Sequence, residues 1–211
     1  MAKSNLRLVS PPTENGTVIG TRPPRRPPNR ELREREHLSD AEIERLIEAV
    51  RSNRHGTRDA LMVLMAYRHG LRAAEVTDLK WEQVDFDRGE IHVNRLKGGI
   101  PATHPLTGRE LRELRRHKRD VPPSTRFIFV SERGAPLSAE GFNRMVKRAG
   151  VAANLEIKVH AHMLRHACGF KLANDGIDTR SLQAYLGHSN IQNTTRYTAL
   201  ASGRFKNFWR D

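Results

Sequence analysis

The regular spacing of hydrophobic positions begins at His37-Leu38-Ser39; before it, few large apolar side chains occur and no period is sustained. From that point Ile43, Leu46, Ile47 and Val50 recur at the three- and four-residue steps of one helix face. Ser39 followed by Glu42 forms a capping-box pattern, so the spacing predicts a helix that starts there. The next run, Arg58 to Arg68, is apolar nearly all round (Leu61, Val63, Leu64, Met65, Tyr67) and predicts a buried second helix, with Gly70 as its C-cap. A third helix is expected just after Leu71, carrying Val76 and Leu79.

After Trp81 the period drops to two. Val84-Asp85-Phe86-Asp87, the turn Arg88-Gly89 and Ile91-His92-Val93 predict a β-hairpin. A second turn at Lys97-Gly98-Gly99 leads to a third strand over Thr103-His104-Pro105-Leu106. Helical spacing resumes from Thr107 to about Arg119 and again from Ser138 to Lys147, with a short extended piece at Phe127–Val130 between them. At least three more helices are expected in the last 50 residues, and there is no internal repeat. The fold class is therefore α+β: mainly α with a small antiparallel β-sheet near its start.

Composition adds boundaries to this pattern. A chain of 211 residues supports one good-sized core, or one domain and an appendage. Residues 1–37 hold six of the eleven prolines (Pro11, Pro12, Pro23, Pro24, Pro27, Pro28) and the basic cluster Arg22, Arg25, Arg26 and Arg30. That segment reads as a disordered, solvated leader, or as an arm that follows a DNA groove or backbone and orders on binding. Lys and Arg number 37 against 24 Asp and Glu, a formal charge of +13. A polyanion is the natural partner for such a balance, with nucleic acid first, although ribosomal and membrane-surface proteins share it. The single cysteine, Cys168, excludes an intrachain disulfide; it suits a reducing cytoplasm and reads as a small core residue rather than a catalytic thiol. Neither a membrane-length apolar run nor a signal-peptide pattern is present, so a soluble cytoplasmic protein is expected.

Five segments could carry chemistry: His69-Gly70-Leu71-Arg72-Ala73-Ala74-Glu75-Val76, Arg95-Leu96-Lys97-Gly98-Gly99, His160-Ala161-His162-Met163-Leu164-Arg165-His166, Tyr185-Leu186-Gly187-His188-Ser189 and Thr194-Thr195-Arg196-Tyr197-Thr198. Breaking a phosphodiester without a metal requires a nucleophile, cations on the non-bridging oxygens and a proton donor for the leaving 5′-oxygen. Arginine suits the cation role through its planar, permanently charged fork, histidine moves protons near neutral pH, and a tyrosine phenolate forms a covalent phosphoryl-enzyme. A zinc site is the rival reading of so many histidines, but no thiolate or carboxylate stands at firm ligand spacing and the nearby arginines repel a metal.

The order Arg, Lys, His-x-x-Arg, His, Tyr resembles the tyrosine recombinase (phage integrase) family. The resemblance rests on Gly70-Leu71-Arg72-x-x-Glu75, on His162-x-Leu164-Arg165-His166, and on Leu186-Gly187-His188 nine residues before Tyr197. Each motif is weak alone; five in order, spanning about four-fifths of the chain from Leu38 onward, are specific. The sequence is most similar to the short fimbrial phase-variation invertases, in His104-Pro105-Leu106, His162-Met163-Leu164-Arg165-His166, the run Ala173-Asn174-x-Gly176-Ile177-Asp178-Thr179-Arg180 and Gly203-Arg204-Phe205. Those proteins lack the separate N-terminal core-binding domain of their longer relatives, and the same is expected here.

The resemblance implies a tyrosine recombinase catalytic domain with the DNA breaking–rejoining fold over residues 38–199. Arg72 and Arg165 would clamp the scissile phosphate, Lys97 would protonate the leaving 5′-oxygen, and His162 would act as base or acid at the tyrosine. His188 would bond the phosphate, Tyr197 would attack, and Glu75 would orient Arg72 or support the histidines. His166 is expected to be structural, His160 a helix-start residue or a DNA contact, and Tyr67, Tyr185 and Trp81 packing residues. The aromatic end segment Arg204–Trp209, within the tail 200–211, would dock on a neighbouring protomer or fold back on its own chain.

The implied activity is site-specific recombination of double-stranded DNA through a 3′-phosphotyrosine, with no metal or other cofactor. A homodimer would bind each site and a homotetramer would form the synapse, with an accessory DNA-bending protein as a further partner and a cytoplasmic, nucleoid-associated location. Inversion for phase variation is the sharper expectation, and integration or excision of a mobile element the broader one. A type IB topoisomerase and a non-catalytic DNA-binding regulator are the readings from other classes.

Overall fold

A computed structural model describes residues 35–96 and 98–199. The expectations placed on Arg22, Arg25, Arg26, Arg30 and Lys97, and on the tail 200–211, lie outside these residues.

Helix α1 (Asp40–Arg51) starts where the capping box predicts: the Ser39 hydroxyl accepts from the Glu42 N–H, and the Glu42 carboxylate takes the Ser39 N–H at 2.8 Å. Helix α2 (Gly56–Arg68) is buried along most of its length, as a sequence apolar all round requires. It runs through the middle of the domain and packs against α1, against α4 (Gly108–Asp120) and against α6 (His162–Asn174). Leu46, Val50, Leu61, Met65, Leu114, Phe129, Phe142 and Leu164 form the centre of one continuous core. Full burial of each such side chain contributes roughly 1.5–3 kcal/mol.

Helix α3 (Ala73–Thr77) is shorter than the pattern suggests. Leu79 is captured instead by the extended piece around Phe127: its carbonyl accepts from Ile128 N at 2.8 Å, and Lys80 bridges Phe127. The three-stranded antiparallel sheet follows in the order β1 (Val84–Asp85), β2 (Glu90–Val93), β3 (Ala102–Pro105), with Ile91 opposite His104 and Val93 opposite Ala102. Helix α4 opens on a second capping box, Thr107 with Glu110. Helix α5 (Ala139–Ala152) runs five residues beyond Lys147 because Ala149 and Gly150 are buried like Met145 and Val146 before them. A side chain at Gly150 would stand 2.7 Å from Val159, so the glycine serves a close approach rather than a stop.

Three helices close the domain: α6, α7 (Thr179–Leu186) and α8 (Gln192–Ala199), each packed on the other two. Two left-handed glycines set the turns that matter for the site. Gly70 (φ +57°) ends α2 with Leu186 against it, and Gly187 (φ +64°) ends α7 with the Arg95 side chain against it. A Cβ would lie 2.5 Å from Leu186 Cδ2 at the first and 2.5 Å from Arg95 Cγ at the second, and L-residues disfavour the conformation besides. Tyr67 and Cys168 are buried, as expected; Trp81 and Tyr185 are half-buried packing residues. Among the described residues no helix is long and apolar enough to cross a membrane.

Candidate active site

Arg72 precedes α3 in an extended conformation (φ −73°, ψ 156°), and Glu75 in the first turn reaches back to it. The carboxylate takes the Arg72 N–H at 2.9 Å and Arg72 Nη1 at 2.6 Å. The same carboxylate accepts Arg95 Nη1 at 3.1 Å and the Leu96 N–H at 3.1 Å, and Arg165 Nη1 lies 3.9 Å away. A buried glutamate thus sits among three guanidiniums. Burial alone would raise its pKa; the Arg72 N–H, the Arg95 charge and the remaining donors outweigh it and hold the carboxyl below its usual range.

Arg165 rises from α6 with its side chain only 1 % exposed. Its Nη1 donates to the Gly70 carbonyl and its Nη2 to the Leu186 carbonyl at 2.7 Å. Burial, then the charges of Arg72 and Arg95, lower its pKa to about 10, which still leaves a cation at neutral pH. Arg72 is the more open of the two, with 28 % of its side chain exposed.

His188 leaves the left-handed turn at Gly187, and its Nδ1 meets Thr194 Oγ1 at 2.8 Å, which ties the turn to α8. Tyr197 lies on α8, one turn on from Thr194, with 2 % of its surface exposed. Its ring stands edge-on to Phe170 at 5.1 Å and lies nearly parallel to His188 at 6.4 Å. Burial raises the pKa of its phenol, against the lowering charges of Arg165 and Arg196. Its hydroxyl is hydrogen-bonded to His166 Nδ1 at 2.9 Å.

His162 is the exposed first residue of α6, and its ring meets His166 edge-to-face at 4.4 Å. Desolvation on the packed side and then the charges of Arg165, His160 and Arg72 lower its pKa to about 4. Because the ring stays open to water on its other side, the cationic neighbours are the more durable cause, and a bound anion would oppose them. His166, buried, is lowered to about 3, and His188 to about 4, in both cases first by desolvation. All three rings are neutral at pH 7 in the free protein.

Two contact sets thus lie side by side: Arg72 and Arg165 about Glu75, and His162, His166 and His188 about Tyr197, the second set within reach of the charge of Arg165. The cluster offers fixed cations, neutral imidazoles able to take a proton, and a phenol, which is the equipment for nucleophilic attack on a phosphodiester. Among the described residues no group of three or more His, Cys, Asp or Glu could hold a metal ion.

Sequence reasoning missed two features. His166 was expected to be structural, yet it is the partner of the Tyr197 hydroxyl. Arg95, two residues before Lys97 in its motif, carries no signal of function by residue type alone, yet its guanidinium is fully buried. The signal was available: Ile91, Val93 and Arg95 share the inward parity of the strand and its continuation, while His92 and Asn94 face outward. A third buried polar group lies behind the cluster. His69 stands 2.9 Å from Glu110 and 3.1 Å from His104, whose ring stacks on Tyr185 at 3.8 Å.

The family described as "Phage integrase family" matches residues 36–204. The chain is 39% identical over 183 residues to the type 1 fimbriae regulatory protein FimE of Escherichia coli K12, covering 84% of this chain and 92% of that protein. Its fold is similar to that in the crystal structure of XerA recombinase, with a TM-score of 0.70 at 28% identity over 82% of this chain and 63% of that one. It is also similar to the Tn1549 transposon integrase in complex with circular intermediate DNA, with a TM-score of 0.69 at 21% identity over 81% of this chain and 64% of that one, a likeness of fold.

Proposed function

We infer that in this chain, which belongs to the phage integrase family of site-specific DNA recombinases, the catalytic set is Arg72, Lys97, His162, Arg165, His188 and Tyr197, joined by His166 as a base in contact with the Tyr197 hydroxyl. The observation that carries the reading is a tyrosine whose hydroxyl faces an imidazole and whose phenol feels the charge of Arg165, the arginine that shares Glu75 with Arg72. Double-stranded DNA is the substrate, in keeping with the charge of +13 and with the DNA-bound relative of the same fold.

In the reaction, Arg72 and Arg165 hold the non-bridging oxygens of the scissile phosphate, and His188 adds a further hydrogen bond. Tyr197 Oη attacks phosphorus; the Oη–P bond forms as the P–O5′ bond breaks, giving a 3′-phosphotyrosine. The phenolic proton passes to His166, already in contact, or to its neighbour His162. These rings are poor bases while burial and the neighbouring cations hold their pKa values down, and the arriving phosphate anion raises them toward the useful range. The departing 5′-oxygen takes its proton from Lys97. A 5′-hydroxyl from the partner duplex reverses the steps and restores the phosphodiester with no external energy.

Residues 38–199 form the catalytic domain. The leader 1–37, through Arg22, Arg25, Arg26 and Arg30, supplies a second grip on the DNA backbone, and the tail 200–211 docks on a neighbouring protomer. A homodimer occupies each site, two dimers pair in a tetrameric synapse, and an accessory DNA-bending protein assists. The protein works in the cytoplasm on nucleoid DNA. Inversion of a promoter segment is the outcome favoured by the similarity to FimE.

A suicide substrate tests the assignment, with the site found by footprinting the DNA that flanks the gene. The unaltered protein is expected to trap a covalent adduct, and Tyr197→Phe to bind the same DNA without one. Adduct formation by the Phe variant would remove Tyr197 from the role.

A further inference from the structure

We propose that Arg95 is a positioning residue for the phosphate clamp, a buried cation that fixes the placement of Arg165 and Arg72 without touching DNA. The proposal rests on the recombinase reading of those two arginines. Arg95 leaves the end of β2 at the same parity as Ile91 and Val93, which directs its side chain into the protein, where none of it is exposed. A guanidinium withdrawn from water at considerable cost must be answered by well-placed acceptors, and here every acceptor of the two Nη groups belongs to a segment that either carries Arg72 or holds Arg165.

Nη1 donates to Glu75 Oε2 at 3.1 Å and to the Gly70 carbonyl at 3.3 Å. Nη2 donates to the His69 carbonyl at 2.9 Å and to the Tyr185 carbonyl at 2.6 Å. Arg165 uses the neighbouring set: the same Gly70 carbonyl, the Leu186 carbonyl beside that of Tyr185, and the same Glu75 oxygen at 3.9 Å. Arg72 holds the other oxygen of Glu75. One buried fork therefore joins the Gly70–Arg72 turn, the carboxylate that aims Arg72 and the α7 turn that holds Arg165. Like charges side by side repel, so Arg95 also directs the free edge of Arg165 away from itself. Gly187 keeps room for this arrangement, since a Cβ there would lie 2.5 Å from Arg95 Cγ.

Because Arg95 acts through two cations, its loss is expected to show only where those cations matter, on the charge of the non-bridging oxygens. Two suicide duplexes separate this from a general structural defect. One carries the ordinary phosphodiester; the other carries a methylphosphonate at the scissile position, which replaces a charged oxygen with a neutral methyl group. Arg95→Met is expected to slow adduct formation on the phosphodiester on the order of 100-fold, as an ångström-scale misplacement of a reacting group does. On the methylphosphonate it is expected to lose far less, with site affinity in a gel shift unchanged. Arg95→Lys should not restore the rate, because a single ammonium cannot span Glu75 and three carbonyls.

Gly99→Ala supplies a test that leaves the buried charge in place. Its Cβ would come within 2.7 Å of Arg95 Cβ and 2.8 Å of the Gly187 carbonyl, pressing on the stem of that side chain and on the turn packed against it. The same selective loss is expected, in milder form, and it decides the matter if Arg95→Met does not fold. Equal losses on both duplexes, no loss on either, or full rescue by lysine would overturn the proposal. Failure of the unaltered protein to trap any adduct would instead overturn the catalytic reading on which it rests, and is seen without the Arg95 variants.

Discussion

Glu75 concentrates the electrostatics of the cluster in one side chain. Its two oxygens serve Arg72, Arg95 and the Leu96 N–H, with Arg165 close by, and its side chain is 1 % exposed. Glu75→Gln keeps the size and removes the charge, leaving three guanidiniums with only neutral acceptors. Breaking a buried pair in this way costs about 3–5 kcal/mol, so a marked fall in denaturant midpoint is expected together with loss of adduct. An unchanged midpoint would mean that the carbonyls of Gly70, His69, Tyr185 and Leu186 suffice alone. The contact of Glu75 with Arg72 was legible in the sequence because their three-residue spacing sits on a recognisable motif. Arg95 and His166 were harder for a physical reason: burial of a polar side chain is decided by what the rest of the chain folds over it. A strand parity or an (i, i+4) step only permits that burial.

At the level of elements, helix starts were the most legible features. Ser39 with Glu42 and Thr107 with Glu110 are local devices, complete within four residues, and both helices begin where those residues stand. Lengths were less legible, because α3 ends where Leu79 pairs with a distant segment and α5 continues because Val159 packs on Gly150. The junction of α6 with α8 depends on a similar contact. Gly169 lies under the Tyr197 ring, and a Cβ there would stand 2.8 Å from Cε1 and Cζ. Gly169→Ala is a favourable helix substitution in isolation, yet here it overpacks the joint, at a cost of roughly 1–3 kcal/mol. Faster amide exchange confined to Gln192–Ala199 is the expected signature. Protection equal to that of the unaltered protein would show that the joint yields without cost.

Across the whole molecule, buried neutral histidines set the response to acid. His104, His166 and His188 have pKa values lowered to about 3, 3 and 4 from 6.5. Below pH 6.5 the unfolded chain takes up protons at these positions while the folded chain does not, so stability is whole above pH 6.5 and is lost as pH falls toward 4 and 3. Each group contributes at most about 1.4 kcal/mol per pH unit in that window. The lowered carboxyls of Glu75 and Glu110 act in the same direction further down. Thermal melts should therefore show a clearly lower Tm at pH 5 than at pH 7.5, and equal values would contradict the neutral burial of these rings. Net charge governs the other global response. If Arg22, Arg25, Arg26 and Arg30 grip the DNA backbone, their joint replacement by alanine should flatten the slope of log affinity against log salt by about 0.9 per lost phosphate contact. An unchanged slope would assign them to solvent.

The enclosure of Tyr197 between Phe170, His166 and His188 bears on how such a protein can live on a chromosome. A chain this basic meets vast numbers of phosphates that are not its target, and every one of them is chemically a substrate. On the proposed role of Tyr197, a phenol shut away in this manner lets a passing contact end in dissociation rather than a nick. If Tyr197 is the nucleophile, cutting then requires a duplex with enough contacts to uncover it, and a genome could be searched without being scarred.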